Sequence, residues 1–142
     1  RGVIACLYCP ESDFTTWLAS LLAAIVTGNS VINIVEDNKL DEAKIILSLI
    51  QEVGIPTDCV HIVSLKNVLA LLEQPELSGV MICHTSPLQT WFNQILAQRR
   101  GPILPLIIPD ENSIYLSRLT TEKTITINTT AAGGNADILM NT

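Results

Sequence analysis

VIACLYCPESDFTTWLASLLAAIVTGNSVINIV, residues 3–35, is the stretch that decides the fold. Two short, continuously apolar runs flank a longer apolar segment, and Gly28 stands just after that segment. Continuously apolar runs are typical of parallel strands covered on both faces, whereas strands with one wet face alternate. A glycine just past a helix is a common stop signal. The stretch therefore predicts a β-α-β unit with a right-handed crossover.

The same pattern repeats along the chain. Strand-like runs cover residues 3–8, 31–35, 60–63, 80–83 and 104–108, and helical patterns cover 14–27, 40–53, 65–73 and 87–99. This alternation predicts a Rossmann-like α/β fold, with a doubly wound, mostly parallel sheet of five strands and an extra C-terminal strand and tail. We divide the chain into a Rossmann-like domain (1–112), an extension with a short helix and a strand at 124–128 (113–128), and a tail (129–142).

Composition narrows the classes of function. The 142 residues are 48% apolar, which is enough for one hydrophobic core. Only 15% are charged, which suggests a domain whose surface packs against other protein parts. The net charge is −6 and the one basic cluster is Arg99 and Arg100, so we expect no nucleic-acid binding. The longest apolar stretch, 17–27, is shorter than the roughly 20 residues of a membrane span. We expect a cytoplasmic domain excised from a longer protein, since the chain starts at Arg1.

The four cysteines are too sparse for a disulfide scaffold, so we expect reduced thiols. Cys6 and Cys9 form a C-x-x-C motif, but residues three apart on a strand point to opposite faces, which favours core packing over redox function. Cys59 and Cys83 also lie in or beside strand-like runs, and we expect them, like Cys6, to be buried and unreactive. With His61 and His84 the cysteines offer zinc-ligand types, but not the paired spacing of a structural site, so we expect no metal.

Several polar residues should lie at the carboxyl ends of strands, where open α/β sheets bind ligands. Cys9 and His84 could act there as nucleophile and base, and Glu36 or Asp37 could hold a ribose, although a solvated edge explains all four. The dinucleotide fingerprint G-x-G-x-x-G and the phosphate loop G-x-x-x-x-G-K-[ST] are both absent. We therefore expect no catalytic and no cofactor-binding residue in this chain.

Four segments resemble the aldehyde dehydrogenase superfamily, and two of them its PutA branch. Residues 17–31, WLASLLAAIVTGNSV, resemble the start of the cofactor domain, W-L-x-x-x-A-P-A-L-A-A-G-N-T-V. Residues 50–56 and 60–63, IQEVGIP and VHIV, resemble E-A-G-L-P and V-N-V-V. Residues 96–107, LAQRRGPILPLI, resemble the PutA segment L-A-Q-R-x-G-P-I-V-P-L-I. Residues 127–136, INTTAAGGNA, are similar to the end of long PutA chains.

The chain departs from that family at the positions that carry its chemistry. The ribose-holding K-P-S-E is replaced by IVED at 34–37, and the phosphate-facing T-G-S-T/E turn by CHTS at 83–86. The catalytic E-x-G-G is replaced by PDEN at 109–112, and the segment with the nucleophilic cysteine has no counterpart. The resemblance therefore implies a domain that binds no cofactor and oxidises no aldehyde.

PutA proteins join an FAD-dependent proline dehydrogenase to an NAD-dependent pyrroline-5-carboxylate dehydrogenase, and some carry an inactive aldehyde-dehydrogenase-like domain at the C-terminus. The resemblance implies that this chain is that domain. Its partners would be other domains of the same chain, where it would cover the aldehyde dehydrogenase and help to enclose the substrate-channelling path. The tail would make the interdomain contact through Thr129, Thr130, Ala131, Ala132, Gly133, Gly134 and Asn135.

Two other interpretations stay open. The doubly wound pattern also suits a stand-alone dinucleotide-binding domain or small oxidoreductase, which the cofactor departures weaken. Residues 123–128 could instead form an exposed strand that pairs across a dimer.

Overall fold

The computed structural model of the chain describes residues 2–9, 11–83, 87–109, 115–122 and 125. Within these ranges strands alternate with helices, and short 3₁₀ turns lead into α2, β3 and α3. The elements are β1 (Val3–Tyr8), α1 (Phe14–Val26), β2 (Ser30–Val35), α2 (Leu40–Glu52), β3 (Val60–Ser64), α3 (Val68–Leu72), β4 (Leu77–Ile82), α4 (Pro87–Gln98), β5 (Leu106–Ile107) and α5 (Tyr115–Arg118).

The five strands form one parallel sheet in the order β3-β2-β1-β4-β5. β1 is central, and its Cys6 pairs with Asn33 of β2 and with Met81 of β4. Between β3 and β4 the chain passes over β1 to the other half of the sheet, so the strand order reverses between β1 and β4. This is the Rossmann arrangement, and the predicted doubly wound sheet is confirmed.

Two hydrophobic cores lie on opposite faces of the sheet. The first core, under α1 and α2, includes Tyr8, Trp17, Leu21, Ile50 and Leu119. The second core, under α3 and α4, includes Leu7, Leu72, Ile82, Phe92 and Leu96. Because neighbouring residues of each central strand point into different cores, both sets must be apolar, which explains the continuous apolar runs in the sequence.

Helix α1 begins and ends where the sequence predicts to within a residue. The carboxylate of Asp13 caps its first turn by accepting from Thr16 N at 2.9 Å. At the other end Gly28 has a φ of 82°, a left-handed conformation that turns the chain toward β2. The predicted helix stop at Gly28 is therefore confirmed, and Gly54, with a φ of 93°, occupies the equivalent place after α2.

The side chain of Asn29 joins three parts of the chain. Its Oδ1 accepts from Gly2 N at 2.9 Å, at the entry to β1. Its Nδ2 lies within hydrogen-bonding distance of Ala24 O in α1, at 3.1 Å, and of Leu119 O just after α5, at 3.0 Å. Asn29 is 4% exposed, so these protein groups replace the water molecules that its amide loses on burial.

Between β1 and α4, two elements differ from the predicted bounds by more than one residue. The predicted helix 65–73 is a 3₁₀ turn, Leu65–Asn67, followed by the short α3, because Ser64 Oγ accepts from Lys66 N at 3.3 Å and closes a tight turn. β4 begins at Leu77, three residues before the predicted start at 80, and includes Gly79. A Cβ on Gly79 would lie 3.2 Å from Ile4 Cδ1, so glycine allows close packing of the two strands there.

The C-terminal part of the sheet is shorter than predicted. β5 spans only Leu106–Ile107 instead of 104–108, since Pro105 has no N–H to donate and contributes only its carbonyl, which accepts from Val80 N at 3.0 Å. Of the predicted strand 124–128 only Ile125 is described, and it lies in no strand and is 73% exposed. The tail, 129–142, lies outside the described residues.

Candidate functional site

The carboxyl edge of the sheet is the candidate site, because parallel sheets bind ligands there, beside the point where the strand order reverses. Cys9 follows β1, and Glu36 and Asp37 follow β2, as the sequence predicts. Cys83, which was predicted within the fourth strand, follows β4. His84, the predicted base, lies outside the described residues. The edge therefore brings together polar groups from three neighbouring strands.

A shallow cleft of about 420 Å³ lies at the ends of β2 and β3, lined by Glu36, Asp37, Asn38, Ser64, Leu65 and Lys66. Asp37, one of the two predicted ribose ligands, is already engaged with protein groups. Its Oδ1 accepts from Ser64 Oγ at 3.2 Å and its Oδ2 from Lys66 Nζ. The Lys66 ammonium holds the pKa of Asp37 below its ordinary value. Of the two predicted acids, only Glu36 has no ion pair within the described part of the chain.

The turn between β1 and α1 is the place where a Rossmann fold holds the pyrophosphate of a dinucleotide on a helix N-terminus. Here Asp13 accepts from both Thr16 N, at 2.9 Å, and Thr16 Oγ1, at 3.1 Å. A carboxylate therefore occupies the N-terminal turn, and Glu11 is a second acid in the same loop. Two negative side chains therefore lie at this turn, and the sequence between β1 and α1 contains no glycine.

Cys9 lies at the start of the same turn, directly after β1. It is fully buried, its Sγ lies 3.0 Å from Ser12 Oγ, and Ser12 N donates to Cys9 O at 3.0 Å. Burial raises the pKa of the Cys9 thiol, so the thiol form is favoured. A buried, protonated thiol is a poor nucleophile, which argues against Cys9 as the attacking group.

The C-x-x-C motif does not bring its two sulfurs together. Cys6 lies in the first core and Cys9 in the second, on opposite faces of the sheet, so the prediction of divergence is confirmed. In the β1–β4 ladder Cys6 is opposite Met81, so Cys83, two residues further along, continues on the same face of the sheet. Strand spacing within the sequence could not reveal this placement, because it depends on β4 lying beside β1.

The prediction that Cys6, Cys59 and Cys83 are all buried is wrong for two of them. Cys6 is fully buried, whereas Cys59 and Cys83 are half-buried. Cys59 lies in the 3₁₀ turn before β3 and Cys83 one residue past the end of β4, so both occupy the rim of the sheet and not its interior. All four cysteines are free thiols.

A hydrogen-bonded network beside the carboxyl end of β1, buried at Trp17 and Asn33 and partly exposed at Lys39 and Glu42, is not apparent in the sequence. The rings of Tyr8 and Trp17 stack with centroids 4.0 Å apart, and Trp17 Nε1 donates to Asn33 Oδ1 at 3.0 Å. Tyr8 Oη donates at 2.7 Å to Glu42, which also accepts from Lys39 Nζ at 3.1 Å. The only feature of the sequence that could have indicated this network is Asn33, a polar residue inside an apolar strand. The network satisfies its own polar groups, which indicates a structural role.

Arg99, the residue after α4, links the end of this helix by hydrogen bonds to two neighbouring segments of main chain. Its guanidinium donates to three main-chain carbonyls: Leu72 O at 2.7 Å, Gln74 O at 2.8 Å and Pro102 O at 3.0 Å. Three carbonyls match the fixed fork of an arginine and not the single ammonium of a lysine. Arg99 also borders a groove of about 660 Å³ between α3 and α4, whose other lining residues are Leu69, Leu72, Glu73, Ile95, Gln98 and Arg100.

Among the described residues no three His, Cys, Asp or Glu side chains are grouped as a metal site requires. Within those same ranges, no helix has the length and apolar character needed to cross a membrane. The predicted interdomain residues Thr129, Thr130, Ala131, Ala132, Gly133, Gly134 and Asn135 lie outside the described residues.

The fold and the candidate site together define a Rossmann-type α/β domain with two acidic residues, Glu11 and Asp13, at its β1–α1 turn. No protein-family model and no curated protein matches the chain. It is similar to solved structures of proline utilization A (PutA), among them mutants of the Bradyrhizobium japonicum protein and a structure described as the bifunctional PutA protein. Each has 27% sequence identity and a TM-score of 0.65, and the match covers 76% of this chain.

The match covers 11% of the PutA chain, so this chain corresponds to a small part of those proteins. Identity and fold together support a PutA-related domain.

Proposed function

We propose that this chain is a non-catalytic structural domain of a PutA-like proline catabolic enzyme, the C-terminal aldehyde-dehydrogenase-like domain. In this proposal it covers the aldehyde dehydrogenase domain and helps to enclose the path of the pyrroline-5-carboxylate intermediate. The observation that carries it is the likeness to PutA structures over 76% of this chain and 11% of theirs. FAD and NAD then belong to other domains of the same protein.

The candidate site supports the non-catalytic part of the proposal. Asp13 caps the helix that would face phosphate, Asp37 is held by Lys66 and Ser64, and Cys9 is buried with a raised pKa. None of these groups is free to act on a cofactor or an aldehyde.

An exposed apolar stripe on α2 supports the covering role. Ile45, Leu49 and Val53 follow each other at intervals of four residues and are 62%, 50% and 78% exposed. Residues four apart lie on one face of a helix, so the three side chains form one strip that the described part of the chain leaves uncovered. Such strips mark surfaces that pack against another protein part, which suits a domain inside a larger protein.

Deletion of residues 129–142 from the full-length protein tests the proposal. Aldehyde dehydrogenase activity, or the transfer of intermediate between the two activities, should fall, while proline oxidation should stay nearly unchanged because the flavin domain is elsewhere. The measurements are NADH formation from proline, NADH formation from added pyrroline-5-carboxylate, and flavin reduction by proline. Unchanged coupled activity would contradict the proposed role, whereas an equal loss of both activities would indicate general misfolding.

The alternative, a stand-alone dinucleotide-binding domain or small oxidoreductase, rests on the cleft that contains Glu36 at the carboxyl edge. Calorimetric titration with NAD separates the two. We expect no saturation below about 100 μM, a binding free energy of roughly −5.5 kcal/mol. Clear saturation in that range, lost in Glu36→Ala, would favour the alternative.

A further inference from the structure

The two edges of the sheet, β5 and β3, differ in how they are protected. An edge strand presents unpaired main-chain N–H and C=O groups, which proteins hide with a short strand, a proline or a covering element. β5 has all three: it spans only Leu106–Ile107, it follows Pro105, and the guanidinium of Arg118 in α5 donates to Leu106 O at 2.8 Å. The β5 edge is therefore closed to a further strand.

β3 has none of these devices in the described part of the chain. It is a strand of five residues, Val60–Ser64, that contains no proline and no lysine, and its pairing with β2 is regular throughout. Residues 60–63 pair only with β2, so the main-chain groups on their outer side have no protein partner among the described residues. His61 of this strand is exposed. The β3 edge is therefore open to a further strand.

The charges just beyond the two ends of β3 are opposite. Asp58, in the turn before the strand, is exposed and has no ion pair within the described ranges. Lys66, in the turn after the strand, is 77% exposed and pairs with Asp37. A lysine ammonium has three N–H donors, so Lys66 can contact a second carboxylate as well. An antiparallel strand of the same sequence would bring Lys66 of one copy toward Asp58 of the other.

We propose that two copies of this chain pair antiparallel through β3, about a two-fold axis at Ile62, so that their sheets join into one. A two-fold interface uses the same surface of both copies and closes on itself, which suits a sheet with one protected and one open edge. The outer main-chain groups of each β3 then gain hydrogen-bond partners. The proposal rests on the β3 edge alone and does not depend on the proposed role in a PutA-like enzyme.

The position of the axis follows from the charges. With the axis at Ile62, Asp58 of each copy lies opposite Lys66 of the other, at both ends of the paired strands. A shift of the axis by one residue sets Asp58 against Ser64 or Val68, and no opposite charges meet. Opposite charges across an antiparallel pair stabilise it, whereas like charges destabilise it. The charges therefore favour this register over its neighbours.

A cysteine cross-link tests the axis directly in the full-length protein, whatever other interfaces that protein has. Residues opposite each other in an antiparallel pair have Cα atoms about 4.5–5.5 Å apart, which is within the range of a disulfide. In a Cys59→Ser background, Ile62→Cys should give a covalent dimer on mild oxidation, with a 62–62 disulfide in the peptide map that a reductant reverses. Ile45→Cys, at a 62% exposed position on α2, is the matched control and should link several-fold more slowly.

The same cross-link distinguishes a second copy from other occupants of the edge. Equal linking of the two cysteine variants, or no 62–62 link, would overturn the proposal. If the cysteine at position 62 is neither linked nor open to alkylation, another segment of the protein covers the edge, and that result would also overturn pairing with a second copy.

A charge variant tests the register without a change in the core. Asp58→Lys sets lysine against lysine at both ends of the pair, so the dissociation constant of the dimer, measured by sedimentation equilibrium at low salt, should rise at least about five-fold. Combined with Ile62→Cys, Asp58→Lys should also slow the cross-link. Glu73→Lys makes the same change of charge at an exposed position after α3 and should alter neither result. Equal effects of Asp58→Lys and Glu73→Lys on both measurements would overturn the register at Ile62.

Discussion

Trp17 Nε1 donates a buried hydrogen bond of 3.0 Å to Asn33 Oδ1, and this bond fixes the helix α1 against the middle of the sheet. Trp17 is fully buried and Asn33 is 2% exposed, so neither group has water as an alternative partner. The indole also stacks on Tyr8 with an angle of 9° between the rings. If one of the two side chains is replaced, the other is therefore left buried without its hydrogen-bond partner.

Asn33→Leu should lower the free energy of unfolding by about 1–3 kcal/mol, because the indole N–H would be left buried without an acceptor. Urea unfolding followed by Trp fluorescence measures it. Asn38→Ala, at an exposed position in the turn before α2, is the matched control and should change stability by less than about 0.5 kcal/mol. An Asn33→Leu protein as stable as the control would show that the bond contributes nothing.

Arg99→Lys should also be destabilising, by about 1–2 kcal/mol, because one ammonium cannot reach Leu72 O, Gln74 O and Pro102 O together. The adjacent Arg100, which is exposed, provides the control Arg100→Lys, with no expected change. The measurement is the midpoint of thermal unfolding. Equal midpoints for the two variants would contradict the role given to Arg99.

Tyr8 should ionise at higher pH than an ordinary tyrosine. Burial raises its pKa most, the hydrogen bond to Glu42 adds to this, and Lys39 opposes it. A raised pKa in the folded state means that the stabilisation is fully present below the unfolded pKa of about 10 and is lost as pH rises through the folded value. Stability should therefore fall in that alkaline range and not near neutrality.

The contribution of Glu42 to this shift can be isolated by spectroscopy. In a Tyr115→Phe background, Glu42→Gln should move the ultraviolet titration of Tyr8 to lower pH, because the negative acceptor is lost. Glu52→Gln, at the far end of the same helix, is the control and should leave the titration in place. A titration that Glu42→Gln leaves unmoved would assign the whole shift to burial.

The stripe of Ile45, Leu49 and Val53 on α2 should matter for contact with the rest of the protein and little for the fold. Leu49→Lys should change the unfolding free energy by less than about 0.5 kcal/mol, since the side chain is 50% exposed. It should, however, increase protease cleavage around this domain in the full-length protein. Ser48→Lys, the adjacent exposed position, is the control. Equal protection of both variants would show that the stripe is not covered.

The sequence predicted the architecture because the signals for it are local. Continuous apolar runs at β1 and β2 indicate strands covered on both faces, and Gly28 and Gly54 mark helix ends. Neither signal depends on residues that are distant in the sequence. Shorter features depend on neighbours. β5 has only two residues, since Pro105 interrupts it, and the α3 region divides after Asn67.

Prediction of the candidate site required the order of the strands in the sheet more than the types of residue in the sequence. Cys9, Glu36 and Asp37 lie at the predicted edge, since chain order alone places them at strand ends. The pairing of Asp37 with Lys66 joins residues far apart in the sequence and requires β2 and β3 to lie side by side. The C-x-x-C spacing is local, so the sequence could predict that the Cys6 and Cys9 side chains diverge.

The central position of β1 affects how the chain folds as the ribosome makes it. The half-sheet β3-β2-β1 is complete once residue 64 has emerged, but one edge of β1 stays unpaired until Leu77–Ile82 follows. The first core closes later still, when Leu119 and its hydrogen bond to Asn29 arrive. A nascent chain of intermediate length thus exposes a bare strand edge and apolar side chains, the kind of surface that chaperones shield. Ribosome stalling after residue 64 has emerged, and before Leu77–Ile82 follows, should consequently yield the most aggregation-prone intermediate.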